Sequence, residues 1–312
     1  MASNRSIVLF VMGVCLLSVA SGIFEPTLNN YLGETFNITA EQRGDLELPR
    51  EFPGFMVAVL AGALFFMGEV NLGLLGALLV GAGMFGLSTF AREPHQYGNM
   101  VLFLVLWSTG AHLTMPVTQS LALALADRRN EGEKLGKLGA VRSLAVILGS
   151  GIVILNFGVL GLSYRAVFRV GMAVALGAAV AFVALRRSMP ETPHGRPPRL
   201  IVRRRYGLYY LLSVLFGARK QVFMTFGPWV LIRIYGQPPQ RIAMFWMAAE
   251  IVKVVLLPLI GRLIDRAGER AVLMGDAVLL LLVCLTYGFA QDLLPHRAAF
   301  VAVCGAYVLD LI

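Results

Sequence analysis

Long apolar runs, separated by short polar segments, set the pattern of this chain. A helix needs about 20 apolar residues to cross roughly 30 Å of hydrocarbon. The pattern therefore predicts membrane-spanning α-helices at about residues 6–31, 48–67, 74–90, 100–126, 139–162, 165–185, 206–235, 242–260 and 271–290. A tenth apolar run begins at Ala298 and ends with the sequence at Ile312, after roughly 15 residues, which is short of a full span.

A segment rich in proline and arginine, residues 186–205, interrupts the apolar pattern and is predicted to be a cytoplasmic linker. Residues 1–185 are then predicted to form a complete six-helix N-terminal bundle. Residues 206–312 are predicted to form about three and a half helices of a second, incomplete bundle. The expected fold class is an all-α polytopic membrane protein, and we expect the sequence to be truncated at its C-terminus.

The composition agrees with a membrane location. The chain is 57% hydrophobic and only 14% charged, whereas soluble domains contain about half apolar and a quarter charged residues. The net charge is +9. The basic residues behind it follow the predicted topology, because most lysines and arginines lie at the N-terminus and in alternate loops. That bias predicts a cytoplasmic N-terminus, and a bacterial inner membrane is the expected location. The sequence shows no basic surface with interleaved aromatic residues, so no nucleic-acid partner is expected.

A glycine-punctuated basic stretch, residues 261–270, lies between the eighth and ninth runs and is predicted to be a tight cytoplasmic loop. Gly261 and Gly268 permit backbone angles that side chains forbid, and Asp265 offers a carboxylate to neighbouring arginines or a helix N-terminus. The basic residues hold the loop on the cytoplasmic side; they are Arg262, Arg266 and Arg270.

The spacing Gly-x-x-x-Asp-Arg-x-Gly-x-Arg of this stretch resembles the signature loop of major facilitator superfamily transporters. In that family the loop joins helices 2 and 3 and often recurs between helices 8 and 9. The resemblance implies that two bundles rock about a midplane site, and that residues 261–270 form a gating loop against residues 137–142. The position of the family's first loop, residues 68–73, lacks the Asp-Arg pair and all basic residues, so the resemblance is degraded there.

Ionisable residues at bilayer depth usually face a bundle interior or an aqueous cavity. In the eighth run, Trp246, Glu250 and Lys253 share one helical face, and Glu250 lies about 14 Å from the outer end. Arg219 and Lys220 are adjacent in the seventh run and are expected at a similar level. Two interpretations stay open: a structural salt bridge of Glu250 with Lys220 or Lys253, or a cationic cavity that binds an anionic or zwitterionic solute while Glu250 carries a proton.

The first half of the chain carries a second set of candidates. Glu25, Arg50 and Glu51 lie towards the outer side, where they are predicted to pair across the first and second helices. Such a cluster could bind substrate or protons, or it could fix helix packing and close the external side. His112 lies near mid-span, where it could relay protons or simply be hydrogen-bonded in a core.

The sequence therefore predicts a monomeric secondary active transporter that moves a small solute by alternating access, with proton coupling. The alternative is a non-transporting membrane sensor or scaffold on the same fold, which the degraded first loop favours. Cys15, Cys284 and Cys304 lie in apolar runs without the spacing of a metal site. No nucleophile constellation or phosphate-binding loop is evident, so neither an enzyme nor a cofactor or metal is expected.

Overall fold

The computed structural model describes residues 4–64, 67–125, 131–188 and 203–312, and all regular secondary structure in these ranges is helical. The α-helices are α1 Asn4–Thr35, α2 Ala40–Asp45, α3 Glu47–Ala63, α4 Glu69–Phe90, α5 Tyr97–Leu125, α6 Glu131–Ile154, α7 Tyr164–Ser188, α8 Gly207–Arg233, α9 Pro239–Ala267, α10 Glu269–Leu293 and α11 His296–Leu311. Within the described residues, 7 helices are long and apolar enough to cross a membrane. The prediction of an all-α polytopic protein is confirmed.

Each apolar run predicted from the sequence corresponds to one long helix, but several boundaries differ. The predicted outer loop before the second span contains α2, which begins with a capping box between Thr39 and Gln42. The fifth span begins earlier than expected because α6 starts at Glu131, and it ends in a π-helical turn, Leu155–Val159. Of the predicted linker, residues 189–202 lie outside the described residues.

The stretch 261–270, predicted to be a tight loop, is mostly helical. Helix α9 continues to Ala267 and α10 begins at Glu269, so Gly268 alone separates them, with a φ of 82°. Gly261 and Arg266 lie in the last turns of α9, and Arg270 lies in the first turn of α10. A single glycine in the left-handed region is sufficient to reverse the chain, and the residues before it are compatible with a helix. Asp265 is also helical.

Helix α1 forms the centre of the first bundle and packs against α6 and α7. Gly22 and Gly149 allow the backbones of α1 and α6 to touch, because a Cβ atom on either residue would overlap a carbonyl oxygen of the facing helix. On another side of α1, the Phe24 ring stacks on Trp107 of α5, with ring centroids 3.6 Å apart. Small residues and aromatic stacking thus fix the helices that carry the candidate site.

The two parts of the chain meet mainly along α6 and α9, and also between α1 and α8. We call the C-terminal end of α1 the outer end of the molecule and its N-terminal end the inner end. At the outer end, the Asn30 amide donates to the Gln237 carbonyl (3.1 Å), and Arg233 donates to the Ile38 carbonyl (2.7 Å). Polar contacts between the two parts therefore close the molecule at its outer end.

Candidate functional site

A connected set of charged side chains, which we call the outer network, lies on the outer side between α2, α3, α5 and α8. Its centre is the Glu47 carboxylate, which accepts hydrogen bonds from Arg43 and, at 2.8 Å, from Nη2 of Arg50. Arg43 also donates to Asn29 of α1 at 2.7 Å. Arg43 is 1% exposed and Arg50 is 5% exposed, so the carboxylate compensates two guanidinium groups that have almost no contact with solvent.

The outer network reaches further in two directions. Arg50 pairs with Glu51 at 2.8 Å, and the other Glu51 oxygen lies 3.2 Å from Nε2 of His112. In the opposite direction, the Gln221 amide of α8 donates to Glu47. The outer network is therefore a chain of hydrogen bonds and ion pairs from His112 to α8, and its last bond joins the two parts of the molecule.

Arg43 illustrates how the outer network holds its charges. Burial lowers the pKa of the Arg43 guanidinium, and the neighbouring Glu47 carboxylate opposes that shift. Because an arginine stays protonated far above neutral pH, the cation is retained and needs its carboxylate partner. Arg43 lies between the first two predicted spans, yet it is buried because α2 folds its side chain back against α1.

Two of the sequence candidates in this region are placed differently from expectation. Arg50 and Glu51 were predicted to pair with Glu25 across the first two helices, but they pair with each other and with Glu47 on α3 itself. The Glu25 carboxylate makes no hydrogen bond or ion pair with any residue that the structure describes. Its charge interacts most strongly with Arg50, so Glu25 borders the outer network without a direct bond to it.

Two adjoining cavities lie in the inner half of the molecule. The first has a volume of about 110 Å³ and is walled by α1, α4, α5 and α6. The second, of about 290 Å³, lies between α6 and α9 and so between the two parts of the chain. Arg142 and Val146 line both cavities. Met115 on the wall of the first cavity is 52% exposed, so this space is open rather than enclosed.

Charged residues line the second cavity. Nζ of Lys253 lies 2.8 Å from Oε1 of Glu250, one turn earlier on α9. Glu250 is buried and Arg142, on the facing helix α6, is exposed to the cavity. The charge of Arg142 interacts with that of Glu250, although the two groups are not within ion-pair distance. The sequence placed Arg142 at the inner start of the fifth span, and because α6 begins at Glu131 the residue lies well inside the helix.

The remaining candidates lie between α8, α9 and α11. Arg219 pairs with Asp310 of α11 at 2.8 Å, whereas Lys220 is exposed. Trp246 donates its indole N–H to the Tyr307 hydroxyl at 2.7 Å. Four charges were expected at a common level, but they do not come together, because α11 supplies a separate partner for Arg219. The four residues are Arg219, Lys220, Glu250 and Lys253.

Sequence reasoning missed several partners in both regions. Glu47, Gln221 and Asp310 lie near helix ends or in polar segments, where charged and amide residues are ordinary, so nothing in their pattern singled them out. Arg142 was named only as part of the segment 137–142, against which the gating loop was expected to lie. The spacing of Glu47 and Arg50 by three residues on one helix face was the one available signal.

Comparison with known proteins gives a consistent family assignment. The family described as Major Facilitator Superfamily matches residues 9–309. The solved structure of the nucleoside transporter NupG superposes with a TM-score of 0.70 at 15% identity, covering 99% of this chain and 79% of that chain. The proton:xylose symporter XylE, bound to 6-bromo-6-deoxy-D-glucose, superposes with a TM-score of 0.57 at 13% identity, covering 98% and 78%. A search of curated protein sequences gave no match.

Proposed function

Because the chain belongs to the major facilitator superfamily, we propose that it is a secondary active transporter that moves a small solute across a membrane by alternating access. The observation that carries this proposal is the asymmetry between the two ends of the molecule. Bonds between the two parts close the outer end, while open cavities lie in the inner half. This is the geometry of one of the two states that alternating access requires.

The opposite state requires that the outer bonds break. Three hydrogen bonds join residues 4–185 to residues 206–312: Asn30–Gln237, Arg233–Ile38 and Gln221–Glu47. We propose that rocking of residues 4–185 against residues 206–312 separates these pairs and opens the outer side. With a cytoplasmic N-terminus, the state seen here faces the cytoplasm, and the chain works as a monomer in the inner membrane.

We propose that transport is coupled to protons. The proposed proton carriers are two carboxylates: Glu51, beside His112 on the outer side, and Glu250, beside Lys253 at the second cavity. A carboxylate beside a cation and close to a water-filled space can bind and release a proton as its surroundings change. Among the side chains that line the second cavity, the basic Arg142 and Lys253 outnumber the acidic Glu250. That balance favours an anionic or zwitterionic solute.

Residues 261–270 keep their proposed role in gating, although they form helix ends rather than a loop. Helices α6 and α9 touch at the inner end, where Gly136 faces the backbone of Leu257 and Pro258. We expect Asp265→Asn to slow transport while leaving membrane insertion intact, because it removes one charge at the end of α9. An unchanged initial uptake rate would contradict this role.

Uptake into proteoliposomes tests the proposed function. The purified protein is reconstituted, a proton gradient is imposed, and accumulation from a pooled panel of small solutes is measured by mass spectrometry. We expect at least one solute to accumulate with the gradient and not without it. Glu250→Gln is expected to abolish the dependence on the gradient, whereas Glu93→Gln, at an exposed site outside both cavities, serves as the matched control and is expected to behave like the wild type.

Each result separates the candidate functions. Gradient-dependent accumulation that is lost in Glu250→Gln supports a proton-coupled transporter. Accumulation that survives in that variant contradicts the role of Glu250 and leaves Glu51 to be tested in the same way. If no solute moves across a broad panel, the transporter proposal is wrong, and a sensor or scaffold built on the same fold becomes the better interpretation.

A further inference from the structure

Arg142 differs from the other buried or cavity-lining arginines in having no bonded partner among the residues that the structure describes. Arg43 and Arg50 are bound by Glu47, and Arg219 is bound by Asp310. Arg142 makes no hydrogen bond or ion pair with any residue that the structure describes, and it is exposed at the point where the two cavities adjoin. A guanidinium group carries five N–H donors and stays charged, so these donors are available to a ligand.

The nearest carboxylate does not satisfy this guanidinium. Glu250 lies on the facing helix but is engaged by Lys253 at 2.8 Å. Together the three residues carry one net positive charge around the second cavity. A cation in a cleft that is walled by apolar helices attracts a counter-ion, because the low dielectric constant of the walls screens its charge poorly.

Hydroxyl groups beside Arg142 add further donors. Ser21 lines the first cavity and Ser143 lines the second, and neither hydroxyl is hydrogen-bonded to a described residue. Thr114 and Thr118, also on the first wall, donate their protons to backbone carbonyls of α5 and present only lone pairs to the cavity. The Arg142 end of the cavities therefore offers donors, and the α5 wall offers acceptors.

We propose that Arg142 binds the carboxylate or phosphate group of a small organic anion, whose hydroxyl groups face Thr114 and Thr118. The planar guanidinium can donate two parallel hydrogen bonds to such an oxyanion, and Ser21 and Ser143 donate to its remaining oxygens. Arg142 thereby determines specificity for a charged solute over a neutral one. This inference rests on the proposed function only in taking the cavities as the solute site.

Direct binding tests the proposal without relying on transport. Three probes share a three-carbon skeleton and differ in the end group: glycerate carries a carboxylate, glycerol 3-phosphate carries a phosphate, and glycerol is neutral. Binding to the purified protein is followed by calorimetry and by tryptophan fluorescence, since Trp107 lines the first cavity. We expect at least one anion to bind, with glycerol weaker by about tenfold or more, as expected for a lost hydrogen bond to a charged group.

Variants then assign the effect to Arg142. Arg142→Gln is expected to weaken anion binding by about tenfold or more, and Arg142→Lys is expected to retain part of it, because the charge stays while the planar fork is lost. Arg169→Gln, which removes an exposed arginine of α7 outside both cavities, is the matched control and should bind like the wild type. Elution as a single species and an unchanged unfolding temperature establish that each variant is folded.

The outcomes distinguish this inference from the proposed function. Equal anion affinity in the wild type and Arg142→Gln, or no binding of either anion by the wild type, overturns the role of Arg142. If the wild type then still accumulates a neutral solute with the proton gradient, the transporter stands and only the anion site is wrong. If anion binding is lost in Arg142→Gln but no solute is transported, the site stands and the transporter proposal fails.

Discussion

The outer network and the charged group at the second cavity contain the same kinds of side chain but use them differently. In the outer network, one carboxylate, Glu47, accepts hydrogen bonds from Arg43, Arg50 and Gln221, so both buried guanidinium groups are paired within the protein. At the second cavity, Lys253 is the one partner of Glu250 among the described residues, and Arg142 faces open space. Satisfied buried charges stabilise a conformation, whereas an unsatisfied exposed charge is available to a ligand.

The largest expected effect comes from removing the centre of the outer network. Glu47→Ala leaves Arg43 and Arg50 buried without their main counter-charge, and breaking buried pairs in this way costs about 3 to 5 kcal/mol. We expect a large drop in the unfolding temperature of the purified protein, measured by differential scanning fluorimetry.

The control for this variant is Glu93→Ala. Glu93 lies 3.3 Å from His95 in a pair whose side chains are 64% and 71% exposed, and exposed pairs contribute about 0 to 1 kcal/mol. If both alanine variants unfold at the temperature of the wild type, Glu47 does not stabilise the closed conformation, and the contrast between the two regions is wrong.

A smaller effect is expected where the outer network crosses between the two parts of the chain. Gln221→Ala removes the bond from α8 to Glu47 but leaves both arginines paired. Because a hydrogen bond to a charged group contributes about 1.5 to 3 kcal/mol, the closed outer end should lose part of its population. Spin labels at Glu41 and Ile234, both exposed near the outer end, report this opening as a second, longer distance in pulsed electron resonance.

A matched amide tests whether the bond to Glu47 causes that opening. Gln240 lies on α9 near Gly158 at the outer end and is not part of the outer network. Gln240→Ala in the same labelled protein should keep the distance distribution of the wild type. An unchanged distribution in Gln221→Ala would show that the closed state does not depend on the bond to Glu47.

The all-helical fold could be predicted from the sequence because a bilayer imposes one rule on every span. Each apolar run must be about 20 residues long and helical to satisfy its backbone groups, and the runs were visible directly. The boundaries were harder to predict, because polar residues are compatible with a helix outside the hydrocarbon. This is why α6 begins at Glu131 and why α9 extends through residues 261–267.

The partners of the charged residues could not be predicted in the same way. Pairing depends on which helices are neighbours and how they are rotated, and neither quantity is encoded in hydropathy. The sequence identified Arg50, Glu51, Glu250 and Lys253 as residues of interest, and it named Lys253 as one possible partner of Glu250. It could not show that Asp310 returns from α11 to Arg219, or that α2 buries Arg43.

At the second cavity, one substitution should give Arg142 a partner within the protein. Lys253→Met removes the partner of Glu250, whose carboxylate can then pair with Arg142 across the cavity. We expect anion binding by calorimetry to weaken by about tenfold, the equivalent of about 1.4 kcal/mol, because the solute must compete with Glu250. The double variant Glu250→Gln with Lys253→Met should restore the affinity, and a double variant as weak as the single one would contradict this competition.

The smallest expected effect concerns the cap that holds α2 in place. The Thr39 hydroxyl accepts a hydrogen bond from the Gln42 backbone N–H at 3.2 Å, and the Gln42 side chain accepts one from the Thr39 backbone at 2.9 Å. Thr39→Ala should cost about 1 kcal/mol of stability, well below Glu47→Ala, because Arg43 keeps its bonds to Asn29 and Glu47. Thr286→Ala, which removes an exposed mid-helix hydroxyl bonded to Leu282, should leave the unfolding temperature nearly unchanged. If Thr39→Ala is as destabilising as Glu47→Ala, then the fold of α2 determines the burial of Arg43, and the outer network is a consequence of that fold rather than its cause.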